Sequence, residues 1–179
     1  MFIKITRIVF VISSVLIFNF CESSNQVKPL PPKPNADKTS ESEPSFPKNV
    51  EEYLGKSTLN SIGVATSVEF VKIASQKSDS QNQFLGYPIV AQGKEVSKSQ
   101  VESFKKILLD NKTYLFATAK KVMFLPKYGV KLGETLILID AKNSMLSLPL
   151  DGNSRIEDFD PAKKQIFQIL KQSFPEDTF

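Results

Sequence analysis

The sequence contains no histidine, no tryptophan and a single cysteine, Cys21, in 179 residues. Without histidine there is no Ser-His-Asp or Cys-His relay, and no imidazole to hold a metal. One cysteine excludes an intrachain disulfide and any Cys-x-x-Cys redox or zinc motif. Glycine is scarce, at 7 residues, and no helix start follows Gly129-Val-Lys-Leu-Gly133, so it is not a phosphate loop. An excess of one charge is also missing. Lys and Arg number 23 against 19 Asp and Glu, a net +4 too mild to imply nucleic acid. What is present, 41% hydrophobic and 23% charged residues, suffices for one domain with a real core plus accessory segments. No cofactor or metal is implied, and no residue is assigned a catalytic role.

Residues 1–20 read as a signal peptide. Lys4 and Arg7 form a basic start, and Ile8 to Phe18 form an apolar run interrupted by Ser13 and Ser14. That run suits the apolar core of a signal peptide, whereas a membrane-spanning helix needs roughly 20 residues. Cys21 stands where the run gives way to Glu22-Ser23-Ser24-Asn25. In that place it resembles the acceptor cysteine of a bacterial lipoprotein. Phe18-Asn19-Phe20 replaces the usual Leu, small residue and Gly, Ala or Ser, in a style similar to the looser boxes of spirochaete lipoproteins. The resemblance implies lipidation at Cys21, palmitate on the mature chain, and anchorage to a membrane of the cell envelope.

From residue 21 to residue 47 the composition reads as a tether. Six of the 11 prolines fall here (Pro29, Pro31, Pro32, Pro34, Pro44 and Pro47), among Ser, Asn, Lys and Glu. So little apolar surface cannot offset the entropy of ordering, so a disordered or polyproline-like spacer is expected. Fully extended it reaches on the order of 80 Å at about 3.1 Å per residue.

Residues 48–179 carry regular patterning and read as one globular domain. Val50 to Ile62 is a weak helix, undercut by Gly55 and its Ser and Thr content. In Ala65 to Ala74, Val68, Phe70 and Lys72 alternate with Glu69, Val71 and Ile73, as in a strand. Ser75 to Gln83 reads as a polar loop, and Ile89 to Ala91 as a further strand. Ser97 with Gln100 spells a capping box, and Val101, Phe104, Ile107 and Leu108 mark the inner stripe of a helix ending at Asp110-Asn111. Short apolar or β-branched runs follow at residues 113–118, 122–125, 130–132, 135–139 and 144–148. Leu136 to Ile139 is continuously apolar, as expected of a strand covered on both faces. Asp160 and Pro161 open a last helix whose inner face is Ala162, Ile166, Ile169, Leu170 and Phe174. This order predicts an α+β fold, a mostly antiparallel sheet packed against two main amphipathic helices.

Phe124-Leu125-Pro126-Lys127-Tyr128-Gly129, followed by Leu136 to Ile139, resembles a family of small exported bacterial proteins of uncharacterised function. Their pattern is Cys-x-Phe-x-Pro-x-x-Gly, then an apolar strand ending in Cys-x-x-Cys. This chain departs at every cysteine: Lys121 or Met123 stands near the first, and Asp140 and Asn143 at the later pair. A thiol role does not carry over, and the shared part is Pro126 and Gly129 shaping strand-turn-strand, with Gly129 expected at positive φ.

Two further patterns bear on function. Asp140 closes the most apolar strand, with Glu134, Asp151, Asp158 and Asp160 nearby. A hydrolase needs two carboxylates with separated pKa values, whereas each of these has an ordinary place as turn former or cap. Residues 104–132 hold seven lysines against Asp110, and residues 133–160 hold six acids against Lys142 and Arg155. Lys105, Lys106, Lys120, Lys121, Lys127 and Lys131 are therefore candidates for binding an anionic surface. The favoured expectation is a lipid-anchored, non-enzymatic binding or structural module of the bacterial envelope. Its partners would be the membrane and an anionic lipid, glycan or protein, not nucleic acid. The alternative is an acid-dependent envelope hydrolase built on carboxylates around Asp140.

Overall fold

A computed structural model describes residues 47–150 and 153–179. The expected signal peptide, Cys21, Asp151 and the expected tether up to Phe46 lie outside these described residues. Within them, helix α1 (Val50–Val64) is followed by strands β1 (Val68–Ile73), β2 (Gln83–Phe84) and β3 (Tyr87–Gln92). Helix α2 (Lys98–Leu109) leads to an irregular segment, then to β4 (Tyr128–Leu132), β5 (Thr135–Asp140), β6 (Met145–Leu150) and β7 (Asn153–Asp158). Helix α3 (Lys163–Ser173) ends the fold. The strands form one sheet in the order β2-β3-β1-β4-β5-β6-β7, every pairing antiparallel.

The expected architecture of two main helices on a mostly antiparallel sheet is overturned. The sheet has seven strands curled into a half-barrel, three helices accompany it, and strands and loops make up most of the structure. The weak-looking first helix forms because Gly55 absorbs the break. Its φ of +73° is a conformation that a side chain disfavours, and it kinks α1 without ending it. Asn49 caps the start by accepting from Glu52 N at 2.8 Å, and Val50, Tyr53, Leu54 and Ile62 are buried. Curling follows from strand twist, with a register shift between Lys72 and Ile73 bending β1 further.

The two faces of the sheet differ. On the helix side lies the main core, where Val68 and Phe70, Tyr128 to Leu132 at alternate positions, Ile137, Ile139, Leu146 and Leu148 meet all three helices. From α2 come Val101, Phe104 and Leu108, and from α3 Ile166, Ile169 and Leu170, as their periodicity predicts. On the opposite face a small cluster of Val71, Ile73, Phe84 and Leu138 is flanked by Tyr87, Ile89 and Phe124. Gly129 belongs to this face. It does not have the expected positive φ; among the described glycines that conformation belongs to Gly55, Gly86 and Gly133. Its reason is steric, because an added Cβ would lie 2.5 Å from Cδ1 of the Phe84 ring.

Residues 113–118 and 122–125 are not strands. Thr113 closes a short 3₁₀ turn, and the chain from Tyr114 to Lys127 crosses the sheet's end without ladder pairing. Conversely, Asn153–Asp158 is the seventh strand, although its polar sequence carries no strand signal.

Candidate functional site

The irregular segment is fixed by polar groups from the sheet. Asp140 ends β5, is fully buried, and faces away from the helices. Its carboxylate accepts from Leu125 N at 2.9 Å, Asn143 N at 3.0 Å and Asn143 Nδ2 at 2.8 Å. Asn143 Nδ2 also reaches the Met123 carbonyl at 3.2 Å.

Lys120 joins this network. Its ammonium donates to the Asn143 carbonyl at 2.6 Å and lies 2.9 Å from Asp158 and 2.8 Å from Asp160. Hydrogen bonding to Lys120 holds Asp160 below the usual carboxylate range. Asp140 and Asp158 both face Met145, their common strand neighbour. They are thus brought to one end of one sheet face, but each carboxylate is engaged by N–H donors or an ammonium. Asp160, expected as the cap of the last helix, sits in a 3₁₀ turn before α3 and serves Lys120 instead. Glu134 lies exposed in the β4–β5 turn, at the far end of β5 from Asp140.

Glu157, one residue before Asp158 and facing the helices, was not singled out by the sequence. Burial, reinforced by the charge of Asp158 and opposed by Arg155, pushes its carboxyl up to about 7. It stands against Tyr53 and Tyr114, whose hydroxyls burial pushes far above the ordinary tyrosine value.

The six candidate lysines do not gather on one face. Lys105 is buried on α2, with its ammonium on the Ala65 carbonyl at 3.0 Å and on Glu102 at 2.9 Å. Lys106 is exposed on the same helix, whereas Lys131 projects from the opposite face of the sheet beside Glu69. Lys120 is consumed by Asp158 and Asp160, so the basic and acidic stretches partly pair in space. Lys121 and Lys127 are exposed.

A different lysine group does converge. A groove of about 490 Å³ is lined by Lys127, Lys142, Lys163 and Lys164 with Tyr128, Phe167 and Phe179. Its floor is aromatic: Phe179 lies 5.6 Å from Tyr128 and 5.3 Å from Phe167, centroid to centroid. Lys127 Nζ is 5.2 Å from the Tyr128 ring centre and Lys163 Nζ 5.4 Å from that of Phe167, so the rings orient two of the cations. Asp177, which lies beside Tyr128 and Lys127, is held at about 2 by Lys72, at 2.7 Å, and by the Tyr128 hydroxyl. Lys127 lies 3.5 Å from the same carboxylate. Lys142, Lys163 and Lys164 take part in no ion pair among the described residues. Sequence reasoning found Lys127 and missed the other three, because Lys142 lies in an acidic stretch and Lys163 and Lys164 in a helix chosen for its apolar face.

A larger cavity of about 600 Å³ beside Gly55 mixes Glu52 with Lys56 and Arg155 and so has no single sign. No group of three or more metal-ligating side chains occurs among the described residues, and no helix there is long and apolar enough to cross a membrane. No family model, no curated protein and no solved structure matches the chain.

Proposed function

We propose that this chain is a lipid-anchored protein of the bacterial envelope whose folded part is a non-enzymatic module that binds an anionic lipid surface. The observation that carries the binding is the groove of Lys127, Lys142, Lys163 and Lys164 over an aromatic floor. Lys142, Lys163 and Lys164, with Lys127 beside them shared with Asp177, attract phosphate-bearing headgroups, each lysine near a surface contributing roughly 1 kcal/mol. The anchor is carried by Cys21 at the end of its apolar run, and the proline-rich tether gives the folded part room to reach headgroups. Engagement of Asp140, Asp158 and Asp160 in bonds that pin the neighbouring loop supports the non-enzymatic reading over a hydrolase.

Two measurements test this. In a bacterial host, Cys21→Ala is expected to abolish palmitate labelling and move the protein out of the detergent phase; unchanged partitioning would refute the lipid anchor. Lys142→Glu with Lys163→Glu and Lys164→Glu is expected to abolish low-salt binding to vesicles containing phosphatidylglycerol and to leave the melting temperature in place. Wild-type binding should weaken as the Debye length falls below about 10 Å. Equal binding by the triple variant would remove the groove from the proposal.

A further inference from the structure

The loop pinned by Asp140 and Lys120 shows water an unusual set of side chains. Val122 is 51% exposed, Met123 74% and Leu125 46%. These aliphatic groups do not flop outward from a loose chain. The backbone beneath them is tied at Leu125 N to Asp140, at the Met123 carbonyl to Asn143, and at Lys127 N to the Ile139 carbonyl at 3.0 Å. Upstream, Leu115 N donates to the Asp158 carbonyl at 3.0 Å, and Lys120 is clamped between Asp158 and Asp160. A fully buried carboxylate is thus spent on holding an apolar tip in water, where exposing it gains nothing in folding.

Two exposed lysines stand near the tip. Lys121 precedes it, exposed, and the β5–β6 turn that holds it carries Lys142, which also lines the lysine groove. Lys120 stands between Asp158 and Asp160 and offsets one of their two charges. Aliphatic side chains with lysines beside them fit an anionic bilayer interface: the cations meet phosphates while the aliphatic groups enter the headgroup–acyl boundary. Depth is limited by the backbone. The segment has no ladder pairing, so its free backbone groups need the water that persists at headgroup level and is missing in the hydrocarbon.

We infer that Val122, Met123 and Leu125 form a rigid tip that inserts into the interface of an anionic lipid bilayer beside the lysine groove. This rests on the lipid-surface reading above and adds to it a component that is apolar and therefore resistant to salt.

The test uses the full chain with Met123→Cys. A lipidated Cys21 has no free thiol, so a polarity-sensitive thiol fluorophore goes to position 123. In vesicles of phosphatidylcholine and phosphatidylglycerol the emission is expected to shift blue and to be quenched by nitroxides on the upper acyl chain. The same probe at Ser103→Cys, exposed on α2, is expected to keep the emission of water. Val122→Asp with Leu125→Asp in the probe-bearing chain is expected to return position 123 to water-like emission, and high salt is expected to leave part of the quenching in place.

Identical emission at positions 103 and 123 would overturn the inference. So would a blue shift that appears without lipid and grows with protein concentration, which would assign the tip to a second copy of the chain. The anchor is read separately. Label uptake by the chain without an introduced cysteine would refute lipidation of Cys21, and the Met123 probe in a Cys21→Ser background would still report insertion.

Discussion

On the helix side of the sheet, Phe104, Leu108, Ile166 and Leu170 interlock with strand residues over a continuous apolar interior, although Lys105 and Glu157 are buried on that side as well. On the opposite side the buried apolar cluster is Val71, Ile73, Phe84 and Leu138, and the segment lying beyond it is fastened by Asp140, Asn143 and Lys120. Apolar burial is non-directional, and any well-packed arrangement collects it. Hydrogen bonds to one carboxylate fix particular backbone atoms. The first side therefore supplies stability, and the second supplies position: a loop can show aliphatic side chains outward when something other than those side chains holds it.

The strongest way to break this division is to cut into each side and compare how the molecule fails. Phe104→Ala is expected to cost about 3–5 kcal/mol and Leu170→Ala about 2–5 kcal/mol, measured by denaturant unfolding as one cooperative transition. A loss under about 1 kcal/mol for both would mean that the helix side does not carry the fold.

Gly129 sharpens the comparison, because it marks where the opposite side is packed most tightly. Gly129→Val drives a side chain into the Phe84 ring and is expected to cost about 1–3 kcal/mol or more. Placing Gly129→Ala in a Phe84→Ala background should cost less than in the wild type. Strict additivity of the two changes would refute the steric account.

Asp140→Asn should act differently again. It weakens charge-assisted bonds worth about 1–3 kcal/mol together, and its effect should be local. Amide exchange at Leu125 and proteolysis within residues 120–126 are expected to quicken while the main transition moves little. Collapse of the whole sheet would mean that the loop is part of the core rather than pinned to it.

The smallest effects are set by pH and have opposite signs in two carboxyls. Asp177, held at about 2 chiefly by Lys72, stabilises above the ordinary carboxylate pKa, and that contribution is lost as pH falls through about 2. Asp177→Asn is then destabilising near neutrality and converges with wild type in strong acid. Glu157, pushed up to about 7 by burial, favours its protonated form in the fold. Below about pH 4.5 it carries no penalty, and stability falls as pH rises towards 7. Glu157→Gln is expected to raise the melting temperature near pH 8 and leave it unchanged near pH 4. A shift of the same sign at both pH values would refute burial as the cause.

How much of this the residues announce depends on which force acts. Helices α2 and α3 are legible because their apolar residues recur with helical period, and β1 and β5 because alternation and an unbroken apolar run record which faces are covered. Helix α1 is obscured by Gly55, whose positive φ turns an expected stop into a kink. Strand β7 is obscured because Ser-Arg-Ile-Glu-Asp is held by ladder pairing to β6, not by a face of its own. Residues 113–125 look β-rich, yet several of their backbone groups go to side chains and distant carbonyls, which no local pattern encodes. The lysine groove is the least legible part. Lys127, Lys142, Lys163 and Lys164 come from three separate stretches, and Lys105, typed as a surface residue, is buried.

The sheet order also dictates when its parts can be assembled. Strand β1 precedes every other strand in the chain but lies between β3 and β4. A growing polypeptide can pair β1 with β3 at once, while the other edge of β1 stays bare until Tyr128–Leu132 has been made. During that interval Val68, Phe70 and Val71 sit on an open strand edge able to pair with another chain. A truncation ending within residues 110–127 would keep the edge open permanently. Such a fragment is a natural template for intermolecular strand pairing, and its yield would depend on holdase chaperones in a way that of the complete chain would not.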